Sequence, residues 1–73
     1  MPHLRVRVRG MRVRVILAQR WRTQTWLAKR LHTSSSYLSR VLTGERLVGV
    51  RIGNRLLQVL GEKDWDKVFE FVE

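Results

Sequence analysis

The sequence has 73 residues and no cysteine, which is enough for one small domain and excludes disulfide bonds and thiolate metal sites. Its formal net charge is +9, from 15 Lys or Arg residues and 6 Asp or Glu residues. The charge is uneven, because residues 1–61 contain a single acid, Glu45, and residues 62–73 contain the other five. A basic body of this kind predicts attraction to a polyanion with release of counterions.

Membrane insertion and secretion are not expected. No uninterrupted apolar run approaches the roughly 18 residues that a membrane-spanning helix needs. The Arg-rich start is not followed by the apolar segment of a signal peptide. We therefore expect a cytoplasmic protein, and its basic charge adds the expectation that it associates with the nucleoid.

Catalysis and metal binding are also not expected. The acids form no motif with His, Ser or Lys residues, and the serines lack the context of a nucleophile elbow. His3 and His32 have no acidic or Cys partners at ligand spacing. The sequence therefore predicts no enzyme, no metal or other cofactor and no small-molecule substrate.

The first predicted element is a short strand or extended arm at residues 3–9. Strict alternation places Leu4, Val6 and Val8 on one side and three arginines on the other. Gly10 interrupts the alternation. The alternative is that residues 4–21 form one helix with Arg on most of its faces.

Five short helices are predicted after this segment. Val13, Leu17 and Trp21 are four residues apart and indicate a helix at about 11–21. A fourth helix is predicted at about 50–60, after a loop at 45–49, and a fifth with Trp65, Val68, Phe69 and Val72 on its apolar face. The predicted N-caps of helices two, three and five, and the glycines that end helices three and four, are Thr23, Ser34, Asp64, Gly44 and Gly61. The expected fold class is all-α: a compact bundle of about five short helices over residues 11–73, preceded by the strand or arm at 1–10.

Helices two and three fit a helix-turn-helix. Their close crossing needs a small residue, which Ala28 supplies, and large aliphatic side chains hold the pair from inside. The outward face of helix three carries hydrogen-bonding groups and no acid. The inner aliphatic residues are Leu27, Leu31, Leu38 and Val41, and the outer polar ones are Ser35, Ser36, Ser39 and Arg40.

The stretch 23–44 resembles the Cro/Xre-type helix-turn-helix family of phage repressors and bacterial transcriptional regulators, which has the lambda-repressor-like fold. His32 stands where the family usually has Gly, at a turn with positive φ that His tolerates at some cost. Leu17 and Leu42 replace an Arg and its acidic partner, and the 3–9 segment has no counterpart in the common pattern. The residues that carry the resemblance are Thr23, Gln24, Leu27, Ala28, Ser34, Tyr37, Leu38, Ser39, Arg40 and Gly44.

The resemblance implies a sequence-specific regulator that binds double-stranded DNA as a homodimer on a palindromic operator, as a repressor does. Ser35, Ser36, Ser39 and Arg40 are then expected to read bases, with Arg40 placed for a bidentate contact to guanine. Tyr37 is expected to pack in the fold more than to contact bases. The residues expected at phosphates are Arg22, Thr23, Gln24, Thr43 and Arg46; Gln24 and Thr43 are expected to lie beside helix-end N–H groups that favour anions.

Several alternatives stay open at this stage. The basic charge also suits an RNA-binding module, and a helix-turn-helix occurs in DNA-binding antitoxins and other interaction proteins.

The dimer interface is expected in one of two places. One is the 3–9 strand, and the other is the apolar stripe formed by Trp65, Val68, Phe69 and Val72. That strand is expected either to pair with its copy in a second subunit or to remain a flexible arm whose arginines, Arg5, Arg7 and Arg9, contact DNA.

Overall fold

Five helices and three short strands form in the part of the chain that the computed structural model describes, residues 5–72. The predicted number of helices is confirmed. In chain order the elements are β1 (Arg5–Val8), α1 (Gly10–Gln19), α2 (Gln24–Arg30), α3 (Ser35–Leu42), β2 (Val48–Gly49), α4 (Val50–Leu60), α5 (Trp65–Val68) and β3 (Phe69–Phe71).

A three-stranded antiparallel sheet shows that the expectation of an all-α fold was wrong. The strand order is β2-β1-β3, so β1 lies in the centre. Val6 is opposite Val48 on one side and Phe71 on the other, and Val8 is opposite Phe69. Alternating β-branched and aromatic residues favour this pairing.

The strand prediction for the N-terminal segment is confirmed at residues 5–8, and the alternative of one long helix is wrong. His3 and Leu4 lie outside the described residues. Two further expectations for this segment, a ribbon with a second subunit and a flexible arm, are also wrong. Both edges of β1 are paired with strands of its own chain. Val6 and Val8 are buried in the core, which accounts for the β-branched alternation.

The C-terminal segment is less helical than predicted. Asp64 caps α5 as expected, since its Oδ1 accepts a hydrogen bond of 3.0 Å from the Asp66 N–H. The helix ends at Val68, and the chain then extends as β3 beside β1. Val68 and Phe69 are buried, so these two residues of the stripe predicted as an exposed dimer interface do not lie at the surface. The predicted loop at 45–49 likewise contains β2.

The predicted ends of the middle helices are confirmed. Thr23 Oγ1 accepts a hydrogen bond from the Trp26 N–H and Ser34 Oγ accepts one from the Tyr37 N–H, both at 3.0 Å. Gly44 and Gly61 have φ values of 85° and 68°, in the left-handed region. Glycine adopts this region without the Cβ penalty of other residues.

The core lies between the inner side of the sheet and the helices. Gly10 sits where the start of α1 approaches the end of α3, and a Cβ atom there would overlap the Leu42 carbonyl oxygen. None of the helices in the described part of the chain is long and apolar enough to cross a membrane. The largest fully buried side chains are Leu27, Leu38, Leu56, Leu60, Val6, Val13, Val41, Val48 and Val68.

Candidate nucleic-acid interface

The turn between α2 and α3 brings the start of α3 to the surface. Leu31 is the C-cap of α2, and His32 follows with a φ of 57°. The Thr33 N–H then donates a 2.9 Å hydrogen bond back to the Ala28 carbonyl, and Ser34 caps α3. The expectation that His32 occupies a position with positive φ is confirmed.

The predicted inner side of the helix pair is also confirmed. Ala28 is 2% exposed, so no larger side chain would fit between the helices without moving them. The four aliphatic residues expected to hold the pair are buried, as are the two leucines that stand where the Cro/Xre family has an ion pair. These residues are Leu27, Leu31, Leu38, Val41, Leu17 and Leu42.

The outer face of α3 presents most of the predicted base-reading residues. Ser35, Ser36 and Arg40 are exposed, whereas Ser39 is half-buried. Ser36 and Arg40 are four residues apart and therefore lie on one side of the helix. Tyr37 is half-buried against the core, which agrees with the packing role expected for it.

The predicted phosphate-binding residues are placed less uniformly. Thr23, Arg22 and Arg46 are exposed, whereas Gln24 is half-buried. Thr43 is exposed, but its hydroxyl donates a 3.1 Å hydrogen bond to the Arg40 carbonyl. Thr43 follows the carboxyl end of α3, where carbonyl groups are left without helical partners, so the reasoning from helix-end N–H groups does not apply to it.

Arg5 and Arg7 of β1, and Arg9 directly after it, divide into two groups. Arg7 Nη1 is 3.2 Å from Glu70 Oε1, and Arg9 Nη1 is 3.7 Å from Glu70 Oε2. Arg9 Nε also donates to the carbonyl groups of Asp66 and Phe69, at 3.0 and 3.3 Å. Arg5 instead lines a surface pocket of about 350 Å³ together with Tyr37 and Arg46. Among the three predicted arm residues, Arg5 is therefore the one that the structure brings next to α3.

Sequence reasoning missed a basic groove between the end of α2, the turn and α4. Two adjoining cavities of about 510 and 570 Å³ share His32, Arg55 and Gln58 among their lining residues. No carboxylate among residues 5–72 lines either cavity. The available signal was the four-residue spacing of Arg51 and Arg55, which places both on one side of α4. The remaining basic lining residues are Lys29, Arg30 and Arg51.

Five of the six acidic residues follow α4 in the chain. Glu62 Oε1 accepts hydrogen bonds from the Asp64 and Lys63 N–H groups, at 3.2 and 3.0 Å. The hydrogen bond from the Asp64 N–H is the largest of the effects that hold the pKa of the Glu62 carboxyl below its ordinary value. Glu62 and Lys67 line a cavity with Arg12, at the outer side of α1. In the described residues no cluster of His, Cys, Asp and Glu has the geometry of a metal site.

Comparison with known proteins agrees with this geometry. No curated protein and no solved structure matched the chain. A family model described as a helix-turn-helix domain matches residues 3–66. The match includes α2, the turn and α3, and it extends over most of the 73 residues. The chain therefore belongs to this family of helix-turn-helix domains, which indicates a DNA-binding regulator.

Proposed function

We propose that the protein is a sequence-specific, double-stranded DNA-binding transcriptional regulator of the Cro/Xre type, acting as a phage or bacterial repressor in the cytoplasm. The observation that carries the proposal is the exposed, acid-free outer face of α3, which begins at a Ser34 cap directly after a tight turn. Such a helix enters a major groove while the helix before it crosses the DNA backbone. No enzymatic activity, cofactor or small-molecule ligand is part of the proposal.

Base reading is assigned to Ser35, Ser36 and Arg40, with a smaller part for the half-buried Ser39. A bidentate contact from Arg40 to a guanine would contribute about 1–3 kcal/mol of discrimination against other bases. Phosphate binding is assigned to the exposed Arg22 and Arg46, with Thr23, Gln24 and Thr43 nearby. Arg5 joins this set because it shares a surface pocket with Arg46.

Selection of duplexes from a random pool tests the function, followed by titration of the selected duplex and a random one. Arg40→Ala should weaken binding to the selected duplex by roughly 5- to 150-fold and binding to the random duplex much less. Arg46→Ala should weaken both alike, since a phosphate contact carries no sequence information. Arg12→Ala, at a cavity that Glu62 also lines, is the matched control and should change neither. Equal losses on both duplexes for Arg40→Ala would contradict the assignment.

A homodimer on a palindromic site is part of the same proposal. One recognition helix reads only a few base pairs, so two half-sites about 34 Å apart are expected. Support for a dimer interface at β3, an outer strand of the sheet, is that Phe71 at its end is 61% exposed and Val72 directly after it is 37% exposed. The test is the hydrodynamic mass of the free protein and of its complex. A mass of one chain at high concentration, together with a one-to-one complex, would contradict dimerisation.

RNA binding is the second candidate function. The observation that favours it is Trp21, a residue that is 94% exposed, because RNA-binding modules stack bases on exposed aromatic rings. Competition between the selected duplex and single-stranded RNA at the same salt concentration separates the two functions. Preference for the RNA would favour this candidate over the regulator.

A further inference from the structure

Trp21 combines full exposure with an unfavourable backbone conformation. It lies between α1 and α2, its residue surface is 94% exposed and its φ is 57°. The Trp21 N–H donates to the Ala18 carbonyl and the Arg22 N–H donates to the Leu17 carbonyl, at 3.2 and 2.9 Å. This bonding pattern closes a helix at a position where glycine is usual, because a Cβ atom is disfavoured there.

Folding alone does not account for this residue. The indole contributes almost nothing to the core, and the left-handed conformation would cost less with glycine. Non-glycine residues that are held in the left-handed region cluster at active sites, ligand contacts and switch regions. The sequence prediction that Trp21 continues the apolar side of α1 was wrong. The helix ends at Gln19, so Trp21 lies outside it and its indole does not pack in the core.

The surroundings of Trp21 are cationic and aromatic. Arg20 and Arg22 flank it in the chain, and Trp26 is half-buried one turn into α2. The Arg22 guanidinium lies 4.8 Å from the centroid of the Trp26 ring, and that of Arg30 lies 5.8 Å from it. The guanidinium binds phosphate, and an indole ring has an apolar face that can pack on a sugar and an N–H group that can donate to a phosphate oxygen. The chemistry of this surface therefore matches a nucleic-acid backbone better than an uncharged apolar partner.

We propose that Trp21 contacts the sugar–phosphate backbone of duplex DNA just outside the segment that α3 reads, with its indole against the deoxyribose and Arg22 at a neighbouring phosphate. The inference rests on the proposed function and on the rule that the first helix of a helix-turn-helix crosses the backbone. Trp21 lies two residues before the Thr23 cap of that helix. The contact lengthens the footprint of each subunit and is independent of base sequence.

Trp21→Gly is the variant that separates binding from folding. It removes the indole and the Cβ atom, so the thermal midpoint should stay the same or rise. Affinity for the selected and the random duplex should fall alike, by about tenfold, and the outer edge of the footprint should shorten. Trp21→Phe keeps an aromatic ring and should recover part of the affinity.

Fluorescence quenching gives an independent readout in the same chain. Replacing Trp26 and Trp65 by Phe leaves Trp21 as the remaining tryptophan, since the sequence has three. Acrylamide should quench it strongly in the free protein and weakly in the complex with the selected duplex. If the double replacement does not fold, the difference in quenching between the natural chain and Trp21→Gly supplies the same measurement.

The proposal is overturned if Trp21→Gly keeps the affinity and the footprint, or if the duplex leaves Trp21 open to the quencher. It is also overturned if Trp21→Gly lowers the mass of the free protein, which would assign the indole to a contact between copies, or if RNA protects Trp21 where the duplex does not. Unchanged binding by Trp21→Gly with a selective loss in Arg40→Ala would remove this inference and leave the proposed function in place.

Discussion

Arg7 and Glu70 face each other across β1 and β3, with Arg7 Nη1 3.2 Å from Glu70 Oε1. The second oxygen of the same carboxylate is 3.7 Å from Arg9 Nη1. One acid near the end of the chain thus neutralises part of the charge of two arginines near its beginning. Two of the three residues predicted to contact DNA as an arm, Arg7 and Arg9, are therefore partly engaged in ion pairs within the chain.

Glu70→Gln should therefore change DNA binding more than stability. The ion pair is exposed, so its loss should cost about 0.2–1 kcal/mol of unfolding free energy. The uncompensated charge of Arg7 and Arg9 should raise affinity for random duplex at low salt and steepen its salt dependence. Urea unfolding and a salt titration measure the two effects. Asp66→Asn removes the same charge from the neighbouring α5, and an equal effect of both variants would contradict a specific role for the Glu70 pair.

The parts of the fold that depend on local chemistry were predictable from the sequence. Thr23 and Ser34 cap helices because their side-chain oxygens accept N–H bonds three residues ahead, and this needs no knowledge of distant residues. The helix-turn-helix was predictable for the same reason. The sheet was not, because its strands pair residues that are far apart in the chain, such as Val8 and Phe69.

The candidate site shows the same division. The outward positions of Ser35, Ser36 and Arg40 follow from helical spacing along one element. The groove at Arg55 depends on how α4 packs beside the turn at His32, and no pattern within either segment indicates that packing. The exposure of Trp21 was missed because a four-residue spacing gives no sign of the residue at which a helix ends.

Gly10→Ala should be strongly destabilising. A Cβ atom at Gly10 would meet the backbone carbonyl of Leu42, which cannot move without shifting α3, so we expect a loss of about 2–3 kcal/mol. Gly44→Ala is the comparison: the nearest atom to its Cβ would be in the flexible Arg7 side chain at 3.5 Å, and its φ of 85° alone should cost about 1 kcal/mol. Chemical denaturation of both variants measures the difference. Equal losses would contradict close packing of α1 against α3.

His32→Gly should stabilise the protein. His32 has a φ of 57°, and glycine would remove a left-handed penalty of about 1 kcal/mol. For a domain of this size the thermal midpoint should rise by about 4–8 °C. Thr33→Gly is the matched control in the same turn and should be destabilising: both glycines add freedom to the unfolded chain, but Thr33 has no positive φ whose penalty a glycine would remove. A lower midpoint for His32→Gly would show that the imidazole makes a stabilising contact that outweighs the backbone penalty.

Arg55→Ala tests whether the basic groove is part of the DNA-binding surface. Arg55 lines both cavities of the groove, together with Lys29 and Arg30 on one side and Arg51 on the other. If the groove holds the DNA backbone, each phosphate contact that is lost should reduce the slope of log affinity against log salt by about 0.9, equally on selected and random duplexes. Arg51→Ala should act in the same way, and the double variant should lower the slope by about twice as much. Arg12→Ala, at a cavity that Glu62 also lines, removes the same charge elsewhere and should leave the slope almost unchanged. If all three single variants lower the slope by the same small amount, the groove contributes only to the net charge, and the phosphate contacts are confined to the surface around α3.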